Sequence, residues 1–349
     1  MKSKCRIIAA LLVFVVVVTA TPEVVAEEKT KEYNESWAAS SVETLNIQNK
    51  FGDIKISNRD GNEVTIDVII TVEAPNEAKA EDLLGFIDVV FKKSGGLVKA
   101  ETKIANDFKS RQKFSIDYDV NIPSDKNLEI TNKYGNTVVG DLNASGKFNI
   151  GYGNLTANEL DAPQSENMDV VLEYGKADIS SAGDIRVQVK YSTMNFGVVD
   201  DLELESKYTV VNIDQVSSVS ADSRYDTFNF DEAASVNGAS KYTHYKIGSL
   251  EKSMRIDAAY GGIRVDEVQP GFESVNVTNS YGHVVIGLGN ASYLIDATCD
   301  YCGVDYPEDD FAGDRQSDNH TRIVKGKIGA STGGTVVINS RYGEIKLKN

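Results

Sequence analysis

Residues 174–241 read YGKADISSAGDIRVQVK (174–190), YSTMNFGVVDDLELESK (191–207), YTVVNIDQVSSVSADSR (208–224) and YDTFNFDEAASVNGASK (225–241). Tyr242 then opens a fifth unit, so five tyrosines in a row stand 17 residues apart. Outward from this block the same aromatic recurs at Phe51, Tyr134, Tyr152, Tyr174, Tyr191, Tyr208, Tyr225, Tyr242, Tyr260, Tyr281, Tyr301 and Tyr342. Between Tyr134 and Tyr301 the other spacings are 18 to 22 residues. Self-similarity at about 20 residues marks a solenoid; a propeller blade needs roughly 40 residues.

Apolar residues show what kind of solenoid. Three and five positions after the anchors stand pairs such as Met194 and Phe196, Val211 and Ile213, and Phe228 and Phe230. That is period two, a strand with one buried face. Four positions before the anchors stand Ile47, Ile130, Phe148, Val187 and Leu204, among others. The two sets have opposite parity, so the chain must turn a corner at the aromatic. The Gly that often follows, as at Gly135, Gly153 and Gly343, would permit that turn. A third apolar row, eight past the anchor, includes Leu142, Leu160, Val199 and Val216. The fold class expected is all-β, a β-helix of roughly 17–22-residue rungs, with a sandwich or propeller as the rival. The Tyr side chains are expected to turn towards the corner and the rung interior, because Lys190, Lys207, Arg224 and Lys241 precede them in a ladder that needs solvent.

Residues 60–122 interrupt the repeat between Phe51 and Tyr134. They read as an N-terminal α+β capping excursion: a strand from Val64, a short helix capped by Asn76, and an alternating run Phe114, Ile116, Tyr118, Val120. Residues 41–59 are the first rung, and 123–349 carry the remaining repeats. An acidic loop insertion is expected at 307–322, followed by a last rung from Val336 to Leu347.

The N-terminus is expected to be a signal peptide over residues 1–26. Lys2, Lys4 and Arg6 precede an apolar run of twelve, Ile7 to Val18, too short to span a bilayer comfortably. Val24-Val25-Ala26 fits a cleavage site before Glu27. Residues 27–40 are then a flexible mature N-terminus. Export, to the periplasm or the cell surface of a bacterium, is the expectation, with no later transmembrane segment. The full chain of 349 residues carries a net charge of −16. That balance argues against nucleic acid, which demands clustered Lys and Arg, and against docking to an anionic membrane by charge alone.

The element Asn-x-Tyr-Gly occurs at Asn132-Lys133-Tyr134-Gly135, at Asn279-Ser280-Tyr281-Gly282 and, shifted by one, at Asn339-Ser340-Arg341-Tyr342-Gly343, with Asn49-Lys50-Phe51-Gly52 as an early copy. With the interposed strand–helix–strand, it resembles the exported bacterial β-strand-repeat family called "putative adhesin". It is similar also to the toast-rack domains of envelope-stress proteins. The resemblance covers roughly residues 41–349. It implies a right-handed single-stranded β-helix at the cell envelope and no catalytic residue.

Few polar clusters offer chemistry. Cys299 and Cys302 stand C-x-x-C in strand-like surroundings, a candidate disulfide or two free thiols rather than a redox pair. Asp305, Asp309, Asp310 and Asp314, with Glu308, are weak calcium candidates that lack the ordered Asp-x-Asp-x-Asp-Gly pattern. His244, Arg264 and His283 form a candidate surface cluster. No column of paired acids suits a polysaccharide-cleaving enzyme. No cofactor is expected. The reading is a non-enzymatic adhesin-like or interaction scaffold with a protein or glycan partner at the envelope. An envelope-stress sensing module and, less favoured, a carbohydrate-active β-helix enzyme are the alternatives.

Overall fold

The computed structural model describes residues 27–58, 61–164, 166–330 and 333–349. The expected signal peptide, residues 1–26, lies outside them. The chain is all-β, a long and mostly parallel sheet wound as a solenoid. In the central block, in-register parallel pairing joins residues 17 apart: Lys190 to Lys207, Lys207 to Arg224 and Arg224 to Lys241.

Each rung buries what its period predicts. Met194, Val211 and Phe228, three after the anchor, are fully buried, as are Phe196, Ile213 and Phe230, five after it. Large and small residues alternate between opposite walls. Gly238 stands in register with Ala221 on one side and Ile256 on the other, and a Cβ there would meet the Tyr245 hydroxyl at 2.7 Å. The space Gly238 leaves is the space Tyr245 fills, as close packing requires.

Both ends are interleaved. The first rung, Thr44–Lys50 and Ile54–Ser57, is enclosed on one side by the capping strands Leu97–Ile104 and Phe114–Asn121. On its other side lie Asn127–Lys133 and Thr137–Leu142. The helix Glu77–Leu84 buries Ala80, Leu83 and Leu84, and the Asn76 side chain accepts from the Lys79 amide at 2.9 Å. At the far end Gly334–Arg341 is inserted between Ser274–Ser280 and Tyr293–Asp300. The last rung in sequence is therefore the penultimate one in space.

Two further expectations need correction. Residues 27–40 are not a loose tail: Glu27–Ala38 is a strand, antiparallel to Glu63–Ala74 along its whole length. Its anchors are Tyr33 and Trp37, four apart on one face and packed beside Phe91. The acidic insertion 307–322 is not a loop. Phe311–Ser317 and Thr321–Ile328 form an antiparallel hairpin that pairs on to Tyr293–Asp300. Its outer strand and the Glu27–Ala38 strand are polar and mostly exposed, and such edges discourage pairing with other chains. Among the described residues no helix is long and apolar enough to cross a membrane.

Candidate functional site: the aromatic flank

Every one of the twelve anchors, Phe51 through Tyr342, adopts a left-handed backbone with φ between 51° and 66°. This conformation is costly for a residue with a Cβ, about 1–2 kcal/mol. The corner is thus made by the aromatic itself and not by the following Gly. The glycines serve a different need. A Cβ at Gly135 would lie 1.9 Å from the carbonyl oxygen of Gly52, and one at Gly343 would lie 1.8 Å from that of Gly282. At these glycine corners only a residue without a side chain fits.

The left-handed turn also sends the ring outward. Tyr134 to Tyr342 are 42–53% exposed, so the expectation that they face the interior is wrong. The parity break is real, but its residue of reversal is Tyr, which places both the anchor and the preceding Lys or Arg outside. The rings form one continuous file. From Phe51 to Tyr134 and on through Tyr281, Tyr342 and Tyr301, centroids are 4.7–5.1 Å apart and planes within 20°. Tyr342 comes before Tyr301 because of the inserted rung. His320 closes that end at 4.6 Å, and tilted Phe114 closes the other. The ring faces are consumed by one another; what the surface presents is their edges and hydroxyls.

Beneath the file, polar residues close several of the corners, where the residue two before the anchor is linked to the residue one after it. The Asn49 amide donates to the Gly52 carbonyl at 3.2 Å, and Asn279 does the same to Gly282. Ser340 Oγ donates to Gly343 at 2.6 Å, so Ser340, and not the shifted Asn339, holds the motif position. In the 17-residue rungs Ser192, Thr209, Asp226 and Thr243 replace Gly and are buried. Asp226 accepts from the Ser206 hydroxyl (2.8 Å), the Thr209 amide (2.6 Å) and the Arg224 amide (2.9 Å). Burial pushes its carboxyl pKa up, and these hydrogen bonds oppose the shift. At Tyr301 the same two positions are Cys299 and Cys302, joined by a disulfide with Cα atoms 5.4 Å apart.

Beside the rings stand Lys190, Lys207, Arg224 and Lys241, in register on adjacent rungs. Lys190 pairs with Glu173 at 3.5 Å, and Lys207 lies over the Tyr208 ring at 5.4 Å. Among the described residues Lys207, Arg224 and Lys241 have no carboxylate within 4.0 Å; Glu205 and Asp222 stand two residues away on the same face. On the other side of the file Asn212 donates to Asn195 at 2.8 Å and Asn229 to Asn212 at 2.9 Å, an amide ladder that period reading alone misses.

The other candidate residues do not converge. His244 accepts from the Gly262 amide at 3.2 Å, and Gly262 separates it from His283. Arg264 is paired with Asp266 at 2.6 Å. Asp305 is paired with Lys346 at 2.9 Å, and Glu308 lies 3.7 Å from Arg315. Asp314 belongs to the hairpin, opposite Lys325. The structure brings Asp305, Asp309, Asp310 and Asp314 into no metal-binding group, nor is there another among the described residues.

No family model matches the sequence, and no curated protein is similar to it. Solved structures are. One is described as a putative cell adhesion protein from Clostridium sporogenes, at 10% identity and TM-score 0.20, covering 92% of this chain and 99% of that one. A putative adhesin from Parabacteroides distasonis is 10% identical, with TM-score 0.38 and coverage of 73% and 96%. Another, from Bacteroides fragilis, is 13% identical, with TM-score 0.36 and coverage of 73% and 97%. At these values nothing about activity is carried across. Their descriptions match the family that the Asn-x-Tyr-Gly element resembles.

Proposed function

We propose that the chain is a non-enzymatic, exported interaction scaffold of adhesin-like type, a right-handed β-helix that engages a protein or glycan at the cell envelope through its aromatic flank. The observation that carries this reading is the cation column Lys190, Lys207, Arg224 and Lys241 beside the tyrosine edges. Like charges directly opposite on neighbouring strands are destabilising. In a chain of net charge −16 such a column is a feature that folding does not require and an anionic or hydrogen-bonding partner would use. The basic, apolar N-terminal segment and the Cys299–Cys302 disulfide both suit an oxidising compartment outside the cytoplasm.

The test compares the full chain with its Lys207→Glu/Arg224→Glu variant on a glycan array and in pull-downs from envelope extracts. Both positions point to solvent, so the fold should survive. Binding by the parent and loss in the variant supports the flank. Equal binding by both rejects it. Release of reducing or unsaturated ends from a polysaccharide would make the protein an enzyme instead.

A further inference from the structure

At the N-terminal end of the aromatic file the capping segment folds over a concavity of about 740 Å³. Phe51, Phe108 and Phe114 line it, all half-buried. Phe114 sits against Phe51 at 5.1 Å and edge-on to Phe108 at 5.0 Å, so three rings make one continuous apolar wall. Lys50, Lys109 and Arg111 stand at the same cavity, and no Asp or Glu lines it. None of the three forms an ion pair among the described residues, although elsewhere on the cap Lys99 and Lys103 pair with Glu101, and Lys113 with Glu73. Lys50 is held over the Phe51 ring at 4.9 Å.

We infer that this cavity binds a small amphiphilic anion, with its acid head on Lys50, Lys109 and Arg111 and its apolar body against Phe51, Phe108 and Phe114. Pockets of this size with aromatic walls and a few convergent polar groups are the usual form of small-molecule sites. Three cations without a counter-charge, in a strongly acidic chain, select an anion over a cation. The wall is concave and the rings are half-buried rather than projecting, which favours a small ligand over the surface of an anionic membrane. Alkyl and aryl acids share the required chemistry. The site lies off the cation column, and its test does not depend on the flank's role.

The probe is 1-anilinonaphthalene-8-sulfonate, followed by its fluorescence with the full chain. Dodecanoate and naphthoate are the two competing acids, and dodecyltrimethylammonium is the charge control. Displacement by the acids and not by the ammonium is expected, and which acid competes better identifies the body. Lys109→Glu/Arg111→Glu should weaken the probe at least about tenfold with an unchanged circular dichroism spectrum. Phe108→Ser should weaken it independently of the charge change. No probe fluorescence, equal displacement by the ammonium, or affinity held within about twofold in both variants would overturn the site. So would binding to phosphatidylglycerol vesicles that dodecanoate does not compete.

Discussion

The side-chain amide of Asn132 donates to the carbonyl oxygen of Gly52, one rung away, at 3.1 Å. The same amide reaches the Asn136 carbonyl at 3.0 Å, so one buried side chain ties the corner of its own rung to that of the rung before. Asn132→Ala leaves two carbonyls without that donor. Each carbonyl keeps another donor, Asn49 for Gly52 and the Ile54 amide for Asn136, so the change should cost the net worth of two hydrogen bonds, about 1–3 kcal/mol, read as a lower urea midpoint. Asn132→Ser, the residue found at this position before Tyr208, Tyr225 and Tyr342, should recover part of the loss.

Tyr208 combines a strained backbone with two stacked neighbours, Tyr191 at 5.0 Å and Tyr225 at 4.8 Å. Aromatic pairs contribute about 0.5–1.5 kcal/mol each, enough to offset the left-handed conformation. Tyr208→Ala loses the stacking and keeps the strain; Tyr208→Gly loses the stacking and relieves the strain. The Gly variant should therefore be the more stable of the two, by about 1 kcal/mol, against the usual order for strands. Thermal melts with Ala above Gly would show that the positive φ carries no strain.

Phe228 and Phe230 stack at 5.7 Å inside the rung, and Tyr245 packs edge-on against Phe228. Phe228→Asp places an unpaired charge there and should cost several kcal/mol. Since each rung rests on its neighbours, amide protection should fall in the Tyr208 and Tyr242 rungs as well. An unchanged melting curve would contradict the inward assignment.

Asp226 gives the middle of the solenoid a pH dependence. Its folded pKa lies above the ordinary value because burial disfavours the carboxylate. The folded state therefore holds the proton more tightly than the unfolded chain. Stability contributed by this group is present below the unfolded pKa of about 4 and is lost as pH rises through the folded value. Asp226→Thr introduces the residue that Thr209 and Thr243 supply at the equivalent corners, and it removes that loss. The stability of the variant relative to the parent should be higher at pH 7 than at pH 4, measured by urea unfolding at both. A difference that does not move with pH would place the Asp226 pKa at its ordinary value.

Much of the core is legible in the sequence because alternation is a local signal. Phe228, Phe230, Met194 and Ile213 are inward for the reason that period two demands. The corner is legible as a conflict of parity, yet its agent is not. Steric preference assigns the turn to Gly, whereas a left-handed Tyr is favoured only once rungs assemble and its ring finds partners above and below. The interleaved ends are hidden for a related cause. Pairing of Gly334–Arg341 with strands on both sides, and of Glu27–Ala38 with Glu63–Ala74, is long-range and leaves no periodic trace. Tyr33 and Trp37 in an otherwise charged stretch are the one local sign that the latter is a strand. The amphiphile cavity is likewise invisible in sequence, because Lys50 and Phe51 are more than fifty residues from Phe108 and Arg111.

The in-register stacking of 17-residue rungs supports both the aromatic file and the cation column, and cysteine cross-linking tests it directly. Asn212 and Asn229 are register partners with hydrogen-bonded side chains. Adjacent strands bring Cα atoms within the 4.4–6.8 Å that a disulfide needs. Asn212→Cys/Asn229→Cys should oxidise rapidly to an intramolecular disulfide found by mass spectrometry, while Asn212→Cys/Asp231→Cys, displaced by two residues, should not. Faster cross-linking of the displaced pair, or equal rates for both, would contradict the register and with it the file of stacked tyrosines.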